Sequence, residues 1–144
     1  MGQRRKSLHS AKKVGKIKFH QMEPVAIKKF EIKSHEKPDE VRQPEKTQVE
    51  IVRMEGFTLG RMKMKPGWRW SQCIKPLVHT ESCQLSHVGY AVSGNITVRM
   101  DDGTQKNIKA GESYTIPPGH DAWVDGSEDF VGIEIMSAEQ FAKV

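Results

Sequence analysis

The side chains best equipped for chemistry concentrate in one stretch, Val78–Gly94 (VHTESCQLSHVGYAVSG), and in His120 further along the chain. An extended backbone here puts His79, Glu81, Cys83, Leu85 and His87 on one face, because strand side chains alternate. Four of these five can bind a metal ion, whereas the opposite face carries Thr80, Ser82, Gln84 and Ser86, none of them a strong ligand. Past His87 the same parity supplies Gly89, Ala91 and Ser93, small residues that leave room for a ligand. The segment Ile116-Pro117-Pro118-Gly119-His120 can bring His120 to that face from a neighbouring strand. Thiolate, imidazole and carboxylate together suit a divalent transition ion, Zn²⁺ or Fe²⁺ first and Ni²⁺ or Mn²⁺ after them. Cys83, His87 and His120, with Glu81 or water as the fourth ligand, make an open site that can act as a Lewis acid or activate water. A plainer reading stands beside this one: a buried cysteine is usually a small hydrophobe, and a single histidine often does no more than cap a turn.

Several other side chains can serve a ligand. Trp70, Tyr90 and Trp123, with Trp68, can line the mouth of a pocket, and His79 can join them in binding a small anionic molecule. The same aromatics fit a core or a dimer interface equally well. Asp121 can orient the His120 ring or bond its own backbone in a turn. Arg69 and Arg99 are candidate carboxylate clamps or plain surface residues. The two cysteines, Cys73 and Cys83, are too few for a disulfide framework. The first twenty residues have no apolar stretch of the signal-peptide kind, so a cytoplasmic, reducing setting with free thiols is expected.

Short segments of period two must position these groups. Val49–Met54 and Phe57–Lys65, joined at Glu55-Gly56, alternate apolar and charged residues, as half-exposed antiparallel strands do. His87–Val92 and Ile96–Met100 follow around Ser93-Gly94-Asn95. Asp101-Asp102-Gly103 is a hairpin signal, and Thr104–Ile108, Tyr114–Ile116, Ala122–Val124 and Val131–Met136 complete the set. Val25–Ile32 is expected as an edge strand, and His35–Lys46 as a charged loop interrupted by two prolines. Only Ser137–Val144 reads as a short helix, with Ser137 as N-cap and Gln140 three residues on. Many short strands with Gly/Pro turns and almost no helix point to an all-β sandwich or barrel.

The chain is 144 residues long, enough for one domain. Hydrophobic residues are 36% and charged residues 28%, and no run approaches the length of a membrane-spanning helix. The net charge of +5 is unevenly spread: residues 1–30 hold nine Lys/Arg and one acid, Glu23, and the rest fourteen basic against seventeen acidic side chains. Residues 1–27 are therefore expected to be a flexible basic arm, and 28–144 the β-barrel domain. Clustered cations in 1–21 can lie on nucleic-acid phosphates, serve as a targeting leader, or simply solubilise.

From about Lys28 to Ser137 the chain resembles the cupin superfamily, small antiparallel β-barrels of the jelly-roll type with a central pocket. The second cupin motif, G-x5-P-x-G, is matched by Gly111, Pro117 and Gly119, and Gly94 matches the closing glycine of the first. The strings PGWRWSQ, ESCQ, HVGYAVSGNITVRMDDGT and IPPGHDAWV are similar to those of small stand-alone single-domain cupins. The resemblance implies that His87 stands in the family's glutamate slot, Cys83 in that of the second histidine and Glu81 in that of the first. The fourth ligand slot falls on Ala122, with His120 two residues earlier. The pattern implies a rewired Cys/His metal site or a barrel that has lost its metal.

Two functions follow as expectations. One is a metal-dependent oxygenase- or isomerase-type enzyme acting on a small, anionic molecule inside the barrel. The other is a non-catalytic ligand-binding or regulatory module whose basic arm contacts nucleic acid or a protein. A homodimer is expected in either case, since pairing covers an exposed sheet edge.

Overall fold

A computed structural model describes residues 26–135 and 140–143. The arm over 1–27, with its nucleic-acid contact, lies outside the described residues except for Ala26 and Ile27. Most of the expected helix over 137–144 lies outside them too; residues 140–142 form a turn in which Ala142 has φ 52°.

The strands are β1 (Glu40–Arg42), β2 (Thr47–Met54), β3 (Phe57–Met64), β4 (His87–Ser93), β5 (Asn95–Met100), β6 (Gln105–Lys109), β7 (Ser113–Ile116), β8 (His120–Asp125) and β9 (Phe130–Ile135). They build a six-stranded sheet in the order β1-β2-β3-β9-β4-β7 and a three-stranded sheet in the order β6-β5-β8. Every pairing is antiparallel. Alternation does the sorting: Val49 and Ile51 of β2, Met62 and Met64 of β3, Ile96 and Val98 of β5, and Ala122 and Val124 of β8 share one core between the sheets. Burying each of the larger of these side chains contributes about 1.5–3 kcal/mol. The result is an all-β antiparallel barrel of the jelly-roll kind.

The chain changes sheets between β4 and β5, and Gly94 is the corner. Its φ is +77°, and a Cβ there would lie 2.3 Å from the Asp129 carbonyl oxygen, so no other residue fits without moving backbone.

The sequence expectation for the edge is corrected. Residues 26–32 form no strand; the backbone amides of Lys28 and Lys29 instead donate to Glu55 Oε2 at 3.0 and 2.8 Å. The edge is β1, inside the segment expected to be a loop. Pro38 and Pro44 fall on either side of it, so neither interrupts the ladder, and Glu40 pairs with Arg42 and Arg53.

The extended backbone expected over 78–87 is also corrected. Two single helical turns, α1 (Trp70–Cys73) and α2 (Lys75–Val78), come first, with Pro76 in the first turn of the second. His79 ends α2 in the left-handed conformation at φ 58°, and an irregular loop leads to His87. The parity argument that aligned His79, Glu81, Cys83 and His87 therefore does not apply before β4.

Candidate metal centre

Three strands and one loop converge on the inside of the barrel. His87 opens β4 on its inward face, one residue out of phase with the exposed Val88, Tyr90 and Val92. His120 opens β8, directly after the left-handed Gly119 of the Pro-Pro-Gly turn. Cys83 belongs to no strand, yet it is pinned to that turn. Its amide donates to the His120 carbonyl at 2.8 Å, and its own carbonyl accepts from Gly119 and His120 at 2.7 and 3.3 Å. Cys83, His87 and His120 are 3, 5 and 3% exposed, and their ligating atoms lie within 4.8 Å of one another. This cluster can hold a metal ion.

The hydrogen bonds decide which ring atoms face the centre. His120 Nδ1 lies 2.8 Å from the Pro117 carbonyl oxygen, which only accepts, so Nδ1 carries a proton and Nε2 is the nitrogen left for the cluster. His87 Nδ1 lies 2.8 Å from Glu134 Oε2, and its Nε2 is 3.5 Å from Cys83 Sγ. Carboxylate and carbonyl partners on the far nitrogen are the usual orienting groups of metal-bound histidine. A tetrahedral zinc with ordinary bond lengths separates sulfur from nitrogen by about 3.6 Å, and the Cys83–His87 spacing already matches it. The donor set therefore fits a borderline-soft divalent ion.

Electrostatics prepare the same atoms. Burial pushes the Cys83 thiol up, but hydrogen bonds from His120 and His87 outweigh it and bring the group down to about 6. Burial disfavours the His87 imidazolium, yet Cys83 and Glu134 override that and raise it to about 10.

Glu134 was not among the residues singled out from the sequence. It is 5% exposed on β9, between the outward Ile133 and Ile135. A carboxylate on the inward parity of an otherwise apolar strand was the available signal. Tyr114 of β7 donates to Glu134 Oε1 at 2.9 Å. Burial and then the Glu134 charge hold its phenol above the ordinary value. Gly89 makes room for this ring: a Cβ there would lie 2.6 Å from the Tyr114 ring and hydroxyl. The space that small residues on β4 left for a ligand is thus partly filled by tyrosine.

The remaining sequence candidates separate. Trp70, on α1, is buried and lines the cavity next to the cluster. Glu81 does not join: its side chain is fully exposed and pairs with Lys75 at 3.3 Å. His79 is an exposed helix C-cap. Tyr90 faces outward on β4 and is 47% exposed. Trp123 lies beneath the Arg69 guanidinium, 4.3 Å from ring centre to carbon. Asp121 does not orient His120; it accepts from the Ser71 amide and hydroxyl and from Arg69, fixing α1. Cys73 is buried, and both cysteines are free thiols.

Comparison with known proteins rests on structure. No family model and no curated protein sequence matches the chain. A protein of unknown function from Rhizobium leguminosarum superposes with a TM-score of 0.55 at 17% identity, covering 75% of this chain and 96% of that one. A cupin-like protein from Thermotoga maritima gives 0.45 at 15% identity, covering 65% and 70%. An oxalate decarboxylase from Lactobacillus farciminis, solved as a formate complex, gives 0.49 at 18% identity; the match covers 68% of this chain and 30% of that enzyme. The superposition at 0.55 shows a shared fold, the antiparallel β-barrel.

In this barrel Gly94 forms the sheet-changing corner and Pro117 and Gly119 form the turn before β8, the positions that carried the motif resemblance in the sequence. Gly119 has φ +91°, and a Cβ on it would come within 2.9 Å of Asp101 Oδ2. Of the positions that the resemblance offered as ligands, Cys83 and His87 meet in the barrel. Ala122 lines the cavity without a donor, and His120 supplies one from the same strand face.

Proposed function

We propose that this protein binds one divalent transition ion through Cys83 Sγ, His87 Nε2 and His120 Nε2, with a small anionic molecule beside it in the barrel. The carrying observation is that both histidines have Nδ1 committed to an acceptor, which leaves Nε2 for a cluster whose three ligating atoms lie within 4.8 Å of one another. A cysteine nucleophile with one activating histidine needs no second, equally oriented ring. Such an ion supplies a Lewis acid with an open position for a ligand. The chain's own groups do the rest: Glu134 holds the His87 ring and its proton inventory, Pro117 holds His120, and Tyr114 holds Glu134.

Size bounds the chemistry. The inner cavity is about 40 Å³, room for an ion with one or two water-sized groups. A cleft of about 510 Å³ lies outside it between the edges of β6 and β7, and the two share Val98, Ile108, Tyr114 and Ile116 as a wall. A larger molecule sits in the outer cleft and presents only its reacting end to the centre. This favours oxygenase- or isomerase-type chemistry on a small molecule. A binding module without turnover is the other outcome of the same site. The outward apolar residues Val88, Tyr90, Val92 and Ile135, each 44–49% exposed, fit a cytoplasmic homodimer in which a second copy covers them.

The test is metal content by mass spectrometry on protein purified without chelator. Near one equivalent of Zn, Fe, Ni or Mn, lost in Cys83→Ser/His87→Ala, is expected. Less than about a tenth of an equivalent, not restored by added metal, sinks the metal reading.

A further inference from the structure

Trp68 lines the same inner cavity as Cys83, His87 and His120, and its indole Nε1 is the one buried side-chain nitrogen or oxygen without a hydrogen-bond partner among the described residues. The residue is 2% exposed. Its backbone is held at both ends, the amide donating to the Lys65 carbonyl at 3.0 Å and the carbonyl accepting from Val124 at 3.0 Å. The ring therefore cannot swing out to find water without loosening the turn before α1. An indole N–H only donates, and a buried donor left unmade is a standing cost to the fold. Packing alone would be served by phenylalanine, which carries no such donor.

We propose that Trp68 Nε1–H is a binding donor for a small carboxylate seated in the barrel cavity. This rests on the site reading above and adds to it the class of ligand. Three features converge on that class. The donor requires an acceptor, and a carboxylate oxygen, bearing charge, accepts more strongly than a neutral oxygen. A divalent ion on the cluster would offset the charges of Cys83 and Glu134, which line the same cavity, and give a carboxylate oxygen a second point of attachment. The volume of about 40 Å³ admits a group the size of a carboxylate and little more. A free small acid and the acid end of a longer molecule reaching in from the outer cleft share this chemistry; probes of two lengths separate them.

The experiment uses the full chain labelled with ¹⁵N, which has three tryptophans and hence three indole N–H signals. The Trp68 signal is assigned by its loss in Trp68→Phe or, should that variant not fold, by elimination with Trp70→Phe and Trp123→Phe. Sodium formate and sodium hexanoate are titrated against sodium chloride at equal ionic strength, with and without one equivalent of Zn²⁺. A saturable downfield shift of the Trp68 signal with a carboxylate and not with chloride is expected, while Trp123 stays still. In Trp68→Phe the carboxylate affinity, read from the Trp70 signal, falls about tenfold. A response to formate alone assigns a free small acid, and tighter binding of hexanoate assigns the end of a longer one. A Trp68 signal that moves with chloride, or stays still while Trp70 moves, overturns the proposal, as does no response from any indole. If the chain takes up no zinc, the metal reading fails on its own, and the metal-free titration still decides the role of Trp68.

Discussion

Two buried carboxylates sit on strands either side of β3, and they are held in opposite ways. Glu50 of β2 is 4% exposed and Glu134 of β9 is 5% exposed. Glu50 alternates with the core residues Val49 and Ile51, so it lies on the outer face. There it meets Arg61 and, at 3.2 Å, Lys63, with Gln48 donating at 2.8 Å and Arg61 reaching on to Glu36. Glu134 faces inward and is met by His87 and Tyr114. Arginine and lysine stay charged at neutral pH, so they fix a carboxylate once and for all. Imidazole and thiol give up their protons when a metal ion binds, so the inner network can trade a proton for a cation. One acid is part of the frame, and the other is part of a site.

The contrast breaks most visibly if Glu50→Gln behaves like a site mutation. Removing that charge takes away the carboxylate that Arg61 and Lys63 share and leaves Arg61 only its exposed pair with Glu36. The expected cost is roughly 2–3 kcal/mol, below the value for a fully buried pair because both cations reach solvent. Chemical denaturation at pH 7 measures it, and metal content should not change. The pH dependence has a definite sign. Burial pushes Glu50 up, but Arg61 and Lys63 win and leave it below its ordinary 4.5. Its stabilisation is complete above that ordinary value and fades as the pH falls through the lowered one, so wild type and Glu50→Gln should converge in acid. A loss of bound metal in Glu50→Gln would erase the distinction.

Glu134→Gln tests the other half. The amide keeps the shape but cannot hold His87 with a full charge, and metal affinity should drop about 10–100-fold in a chelator competition. An unchanged affinity would reduce Glu134 to a packing residue. A gentler probe is the thiol itself. In metal-free protein, absorbance near 240 nm corrected with Cys83→Ser should titrate with a midpoint of about 6. His120→Ala removes the larger of the two hydrogen bonds that lower the group, so the midpoint should rise. A midpoint at the ordinary thiol value would mean that the two rings do not face the sulfur.

The strands were legible in the sequence because alternation survives wherever one face is buried: β3, β4, β5, β8 and β9 fall within a residue or two of their expected bounds. Cys83, His87 and His120 were legible as residue types with metal chemistry. Their route to one point was not, because Cys83 arrives from an irregular loop held by backbone bonds to the His120 turn, and no side-chain period reports that. Glu81 misled for the same reason: its parity with Cys83 meant something only in a strand. Glu134 was hidden by distance along the chain, and β1 by its charged composition, since its pairing depends on Arg42 and Arg53 meeting Glu40 rather than on an apolar face.

The smallest effect belongs to Tyr114→Phe, and it sharpens the comparison most finely. The ring stays, so the room opened by Gly89 remains filled and the stability loss should stay near 1 kcal/mol, the worth of one hydrogen bond. Only the donor to Glu134 Oε1 is gone. Glu134 then bears on His87 without the tyrosine's hold, and metal affinity should fall about fivefold, less than for Glu134→Gln. An effect equal to that of Glu134→Gln would make the tyrosine hydroxyl the group that sets the carboxylate. No effect at all would confine the network to Cys83, His87, His120 and Glu134, with Tyr114 acting only as the wall between the inner cavity and the outer cleft.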